Sequence, residues 1–352
     1  MKKAGWLIGW LIVLSGCTSE TIYHYYEGPI FGTGFHITYA TRANRSLDQK
    51  ILKKLNEFNH SLSTYDPGSV ISRVNQNDST VRLDKYFTTV FNRSTEISDL
   101  TGGTFDITVA PLVNAWGFGF AGKKEMNQSR IDSLLALTGY RKVHLEDGRV
   151  VKEDPRIMLD CSAIAKGYGV DVVSEYLELL GVKDYLVEIG GEMRCKGLNP
   201  KGKMWRVGID KPLESLITRK IQEVVQVTDM AIATSGNYRR FYIENGVKYA
   251  HTIDPSTGYP ARSNLLSATV MADDCMTADA FATAFMVMGL DRAIRLSDSL
   301  SGIEVFFIYG DENGDFKEYA SSGMRSRIVS YTSSGQSSLQ SVHPEKAGSG
   351  DL

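Results

Sequence analysis

Asp160-Cys-Ser-Ala-Ile-Ala-Lys-Gly-Tyr-Gly-Val-Asp171 follows the apolar run Ile157 to Leu159. It reads as a strand, Ile157 to Asp160, delivering one carboxylate into a turn of small residues, then a helix with Lys166 at its mouth. A carboxylate, open backbone and a cation at a strand-to-helix junction suit a phosphorylated ligand or a metal. The same Asp and Gly also serve a purely structural turn. The helix, Lys166 to Leu180, puts Val170, Val173, Tyr176, Leu177 and Leu180 on its apolar face, and Gly181 ends it.

On the N-terminal side, Ile30 to Tyr39 alternates as a strand does. Leu47, Ile51, Leu55, Phe58 and Leu62 recur at helical spacing. A second helix starts near Lys85, carries Phe87, Val90, Phe91, Ile97 and Leu100 on its apolar face, and stops at Gly102-Gly103. Val143 to Val151 is a hairpin around Asp147-Gly148. On the C-terminal side, Tyr185 to Ile189, Trp205 to Ile209, Ile221 to Val227 and Phe241 to His251 read as strands, the last turning at Asn245-Gly246. A helix from Thr277 to Met288, a shorter one from Leu290 and a strand Ile303 to Tyr309 follow. Asp311 to Asp315 lacks the late Glu of a calcium loop and is expected to be a hairpin turn. Helices mixed with many hairpins make the class α+β, with mixed, largely antiparallel sheets and flanking helices.

The N-terminus addresses the chain. Lys2 and Lys3 precede an apolar stretch from Trp6 to Leu14, followed by Leu14-Ser15-Gly16-Cys17. The stretch is shorter than the roughly 20 residues that span a bilayer. Leu-Ser-Gly-Cys resembles the lipobox of bacterial lipoproteins, which implies a signal peptide over 1–16 and Cys17 as the lipidated mature N-terminus, bearing palmitate-type acyl chains. Residues 17–28 then form a tether, 29–330 the body and 331–352 a Ser/Gly-rich flexible tail. The expected location is extracytoplasmic, on a bacterial membrane and facing the periplasm. No later segment reads as transmembrane. Cys161, Cys195 and Cys275 have no Cys-x-x-Cys spacing, against a structural zinc site, and leave one disulfide open. A formal net charge of −2 makes no electrostatic case for nucleic acid.

No Gly-x-Gly-x-x-Gly or Walker loop is present, and Gly32-Thr33-Gly34 is too short for either. Asp279 and Thr283 stand four residues apart, so on a helix both oxygens face one way and reach one hard cation. All-oxygen donors suit magnesium better than zinc. Alternatively Asp279 caps the helix and Thr283 bonds back to the preceding turn. His251-Thr-Ile-Asp254-Pro255-Ser-Thr-Gly258 ends a strand in a turn, with His251 either a general base or structural. Gly190-Gly191-Glu192 permits close backbone approach or forms a bulge, and Ser235-Gly236-Asn237-Tyr238 is another small-residue turn. Tyr65 sits in the Ser63 to Ser69 turn. Gly103-Thr104-Phe105-Asp106 leads to Trp116-Gly117-Phe118-Gly119, aromatics beside glycines that either clamp a planar ring or fill a core.

Taken in chain order, Gly32-Thr33, Ser63 to Asn75, Gly102 to Gly119, Asp160 to Asp171, Gly190-Gly191 and Ser235 to Gly258, then the Asp279/Thr283 helix, resemble the ApbE family. That family comprises flavin transferases that move FMN from FAD onto a protein threonine. The resemblance runs from about Ile30 to Ile308. It implies a two-lobed body with an FAD cleft, FAD as substrate, Mg2+, release of AMP, and an acceptor flavoprotein subunit as partner. By position it implies that Phe31, Tyr65, Thr104, Phe105, Asp106, Asp160, Lys166 and the backbone around Ile253 hold FAD. It likewise assigns Asp279, Thr283 and a backbone oxygen near Ala163 to the metal, and His251 to catalysis. Phe31 stands where the family commonly has Met, and an apolar contact survives that change. Asp160 holds either a hydroxyl of FAD or metal. Lys166 meets either the leaving phosphate or a nearby carboxylate. An FAD pyrophosphatase, with water in place of threonine, needs the same pocket and metal; an FAD-storing lipoprotein without chemistry needs no metal ligands.

Overall fold

The computed structural model describes residues 21–42, 45–119, 122–212, 220–237, 241–244, 247–313 and 315–329. The signal peptide, Cys17, Tyr238, the Asn245-Gly246 turn and the tail over 331–352 lie outside the described residues. Among the described residues no helix is long and apolar enough to cross a membrane.

The chain opens with an antiparallel hairpin of β1 (Thr21–Ile30) and β2 (Thr33–Arg42). The expected tether is thus strand from Thr21 onward. Its Thr, Ile and Tyr residues favour a strand, but the turn that pairs it, Phe31-Gly32, lacks the Asn-Gly or Asp-Gly signature. Both turn residues have positive φ, 51° at Phe31 and 71° at Gly32. A bulky side chain rarely adopts that conformation, so the surroundings must hold it there. The Phe31 ring meets Phe58 edge-on at 5.3 Å.

Three helices follow, α1 (Asp48–Leu62), α2 (Val70–Asn75) and α3 (Lys85–Leu100). The α1 stripe of Ile51, Leu55, Phe58 and Leu62 is buried as its spacing predicts. On α3, Leu100 is 49% exposed, because buried Thr101 takes the next place on the stripe after Ile97. Short α4 (Ala110–Ala115) and α5 (Gln128–Leu135) pack Leu112, Trp116 and Ile131 against Ile253. The Asp147-Gly148 hairpin pairs β3 (Val143–Glu146) with β4 (Arg149–Lys152).

Residues 157–160 have no regular secondary structure and belong to no sheet, contrary to the strand expected there. Their partner is a side chain. Asn75 donates from Nδ2 to the Leu159 carbonyl at 2.9 Å and accepts the Leu159 N–H on Oδ1 at 2.7 Å. The Asp160 N–H goes to the Ile107 carbonyl at 2.7 Å. The helix that follows, α6, spans Ala165–Leu179, with half-buried Tyr176 at its apolar margin.

The central sheet takes in β5 (Tyr185–Ile189), β6 (Glu192–Lys196), β9 (Met230–Gly236), β12 (Leu265–Ala272), β13 (Glu304–Gly310) and β14 (Phe316–Ala320). Its order is β1-β2-β5-β6-β9-β12-β13-β14, antiparallel throughout. A second sheet joins β7 (Trp205–Asp210), β8 (Ile221–Val227) and β15 (Ile328–Val329), and β10 (Phe241–Glu244) pairs with β11 (Val247–Ala250). The remaining helices are α7 (Cys275–Met288), α8 (Leu290–Ser299) and α9 (Ser322–Arg325). Alternation along the strands makes two cores. Val270, Val305 and Phe307 face the helices, while Met271, Phe306 and Ile308 face Trp205, Val207 and Val225 of the second sheet. Asp311 closes its turn as expected, accepting Asn313 and Asp315 N–H groups. Cys161, Cys195 and Cys275 are buried free thiols.

Helices α6 and α7 meet at their first turns. Asp171 accepts the Cys275 N–H at 2.9 Å and the Met276 N–H at 2.8 Å, and pairs with Arg194 at 2.9 Å. Asp171→Ala strands those donors and removes the nearest carboxylate from Arg194, an expected loss of about 3 kcal/mol. Urea unfolding measures it; a loss below about 1 kcal/mol would mean that the anchor is idle.

Candidate functional site

The site forms at the sheet end where the β1–β2 turn, the β5–β6 turn and the end of β9 converge beneath α6 and α7. The Gly190 N–H donates to the Gly34 carbonyl at 3.0 Å, joining the two turns. Gly190 and Gly191 both have positive φ, at 65° and 110°, and form the tight β5–β6 turn. Gly169 of α6 leaves room for Phe31, since a Cβ there would lie 2.8 Å from its ring.

Asp279 is the centre of this arrangement. It is 2% exposed, and its Oδ2 accepts the Gly167 N–H at 2.9 Å. The N-cap of α7 is Asp274, which accepts the Thr277 N–H at 2.7 Å, so Asp279 is not spent as a cap. Thr283 and Ser235 share a hydroxyl–hydroxyl bond of 3.1 Å across to β9, so Thr283 points away from its own helix. An unbroken helix would give the Gly167 N–H to the Ala163 carbonyl. Here it goes to Asp279, and no hydrogen bond reaches the Ala163 carbonyl among the described residues.

Lys166 lies 2.9 Å from Glu192 Oε1 and 3.7 Å from Asp279 Oδ1. Burial works against its ammonium, but the Asp279 and Glu192 carboxylates outweigh that and hold it above the ordinary lysine value. Burial raises the Glu192 carboxyl, and Lys166 pulls it back. Glu192 is 5% exposed, and its Oε2 has no hydrogen-bond partner among the described residues. The donors here are a carboxylate, a hydroxyl and a backbone carbonyl, a set that fits a hard cation such as magnesium.

Around this core, Asp160 turns back on itself, accepting the Ser162 N–H on Oδ1 at 2.8 Å. Its N–H bond to Ile107 ties it to the loop of Thr104, Phe105 and Asp106. Thr104 is half-buried and donates to the Thr101 carbonyl at 3.2 Å, while Phe105 is buried in the main core. Asp106 accepts the Thr108 N–H at 2.7 Å and hydroxyl at 2.6 Å on Oδ1, and the Tyr140 N–H at 2.8 Å on Oδ2. Burial holds its carboxyl above the usual range despite these donors. Phe105 and Asp106 therefore shape the loop from within. Tyr65, by contrast, is 74% exposed at its turn after α1.

The third wall carries His251, whose ring lies 6.4 Å from that of Phe118, edge to face. Next to it, Thr252 donates to Asn237 Oδ1 at 3.0 Å, linking this wall to the end of β9. Trp116 donates from its indole N–H to the Gly258 carbonyl at 2.8 Å, and Ile253 is buried against the same ring system. The Asp254-to-Gly258 segment is the expected turn, closed by Gly258 N–H to Asp254 carbonyl at 2.8 Å.

Three residues stand in motifs visible in the sequence, but their contacts have no local signal. Glu192 follows a glycine pair, and nothing local says it is buried; its pairing with Ile189 does that. Ser235 gains its partner only through the β9–α7 packing. Asn75 gives no local sign that it replaces a strand.

A model of the ApbE family matches residues 31–307. The FAD:protein FMN transferase of Vibrio cholerae is 39% identical over 91% of this chain and 98% of its own length. That of Haemophilus influenzae is 36% identical over 86% and 90%. Among solved structures, the flavin transferase ApbE from Vibrio cholerae superposes with a TM-score of 0.79 at 38% identity, covering 88% of this chain and 100% of that one. The Pseudomonas stutzeri flavinyl transferase ApbE, in its apo form, gives 0.78 at 28% identity, covering 89% and 98%.

Proposed function

The chain belongs to the ApbE family, and from that premise we propose that its site moves FMN from FAD to a threonine of an acceptor flavoprotein, with magnesium, releasing AMP. Protein flavinylation is the activity for which the relatives are named. The observation that carries the reading is the open oxygen set. Among the described residues Asp279 Oδ1 accepts no hydrogen bond, with Lys166 3.7 Å away, the Ala163 carbonyl is relieved of its helical donor, and Thr283 faces β9. These three residues would hold the ion.

The acceptor hydroxyl attacks the flavin-side phosphorus, its bond to the AMP oxygen breaks, and the threonine proton passes to His251. Magnesium, when bound, spreads the negative charge gathering on the pyrophosphate. Lys166 adds a second positive charge for the departing AMP. Phe31 and Tyr65 supply apolar and aromatic surface for FAD, with the Thr104–Asp106 loop, Asp160 and the Ile253 backbone completing its pocket. Phe105 and Asp106 act there by setting the loop's shape. Cys17, acylated, tethers the protein outside the cytoplasm on a membrane facing the periplasm.

The test incubates the full-length chain with FAD, magnesium and a candidate acceptor domain, following acceptor mass and AMP together. The expected result is an acceptor heavier by one FMN less water, with matching AMP. Free FMN and AMP with unmodified acceptor would instead establish a pyrophosphatase; bound FAD without turnover would leave a binder. His251→Ala is expected to slow transfer by about 10²- to 10⁴-fold. Unchanged turnover would dismiss His251 as the base.

A further inference from the structure

We infer that Glu192 is a positioning residue for the cation site: it draws Lys166 off Asp279, leaving Asp279 Oδ1 open to a divalent ion. This rests on the site reading proposed above. Lys166 stands in the first turn of α6, beside Asp279, and with no competing anion its ammonium would settle on that carboxylate. There it would fill the direction a metal needs and set a like charge against it. Instead the ammonium sits 2.9 Å from Glu192 and 3.7 Å from Asp279, beyond hydrogen-bond reach of the latter. Glu192 is well placed to hold it. Its backbone pairs with Ile189, and two glycines of positive φ fix the turn before it. Its side chain is 6% exposed against 30% for that of Lys166, so water reaches the pair only from the lysine side. The second oxygen, Oε2, lies toward Gly190, 3.4 Å from where a Cβ would stand. Glu192 thus keeps the lysine at the rim of the site, ready for a phosphate and clear of the metal ligands.

The test measures Mn2+ alone, without flavin, on the full-length protein, counting free ion by electron paramagnetic resonance. Glu192→Gln retains an acceptor for Lys166 but not the charge, so Mn2+ affinity is expected to fall about tenfold, as for outer partners of metal ligands. The double variant Lys166→Met/Glu192→Gln is expected to recover the affinity of Lys166→Met. Wild-type affinity in Glu192→Gln would overturn the inference. A loss that the double variant retains would also overturn it, making Glu192 a ligand instead. If wild type itself binds no Mn2+, the metal reading under Proposed function falls, and the inference with it. Should Glu192→Gln not fold by circular dichroism, the double variant Lys166→Met/Glu192→Gln decides: Mn2+ affinity at least equal to wild type supports the inference, and a loss overturns it.

Discussion

Asp279→Asn is expected to lower transfer by about a thousandfold or more while the protein melts within a few degrees of wild type. Asn keeps a carbonyl oxygen for the Gly167 N–H, which Asp279 Oδ2 now accepts at 2.9 Å. The local backbone therefore stays satisfied, and only the charge is lost. Metal stabilisation of a phosphoryl transition state is worth several kcal/mol, and about 4 kcal/mol corresponds to that thousandfold. Asp279→Ala is the poorer test, because the stranded Gly167 N–H would itself cost about 1–3 kcal/mol. Two readouts settle the matter: initial rates against magnesium concentration, and calorimetric metal titration without FAD. Magnesium-dependent turnover within tenfold of wild type would remove Asp279 from the metal site.

The second large effect is on stability. At Gly167 an added methyl would lie 2.2 Å from the Cys275 carbonyl oxygen and 2.8 Å from Asp279 Cβ. One obstacle is backbone, which no rotamer change can move aside. Alanine would gain up to about 1 kcal/mol in helix propensity. Overpacking against a rigid neighbour costs more, at the upper end of about 3 kcal/mol, and forces α6 and α7 apart. Gly167→Ala is expected to lower Tm by about 4–8 °C and to lose activity with it. A variant as stable as wild type would show that the helices do not meet backbone to backbone here.

Much of this was legible along the chain, for a physical reason. Helices α1 and α3 bury periodic apolar faces, and the Asp147-Gly148 turn carries its own φ preference. Asp279 and Thr283 were visible because helical spacing is local. What stayed hidden depends on partners far along the chain. The apolar run before Asp160 looks like a strand, yet Asn75 supplies its bonds from 84 residues away. The order of the central sheet rests on pairs such as Phe35 with Ile189 and Ser267 with Gly236. The Lys166–Glu192 contact likewise joins a helix to the first residue of a strand, a partner that neither segment names.

Strand β1 sets a height. It starts at Thr21 and runs ten residues along the edge of the sheet to the turn at Phe31. With Cys17 acylated as proposed, three residues, 18–20, would separate lipid from sheet, a contour of at most about 10 Å. The strand itself is about 34 Å long at its usual rise per residue. On that proposal it would act as a mast, with the lipid at its foot and the transfer site near its top. An acceptor threonine would then have to stand within about 45 Å of the bilayer surface, so that only proteins displayed in that shell can be modified.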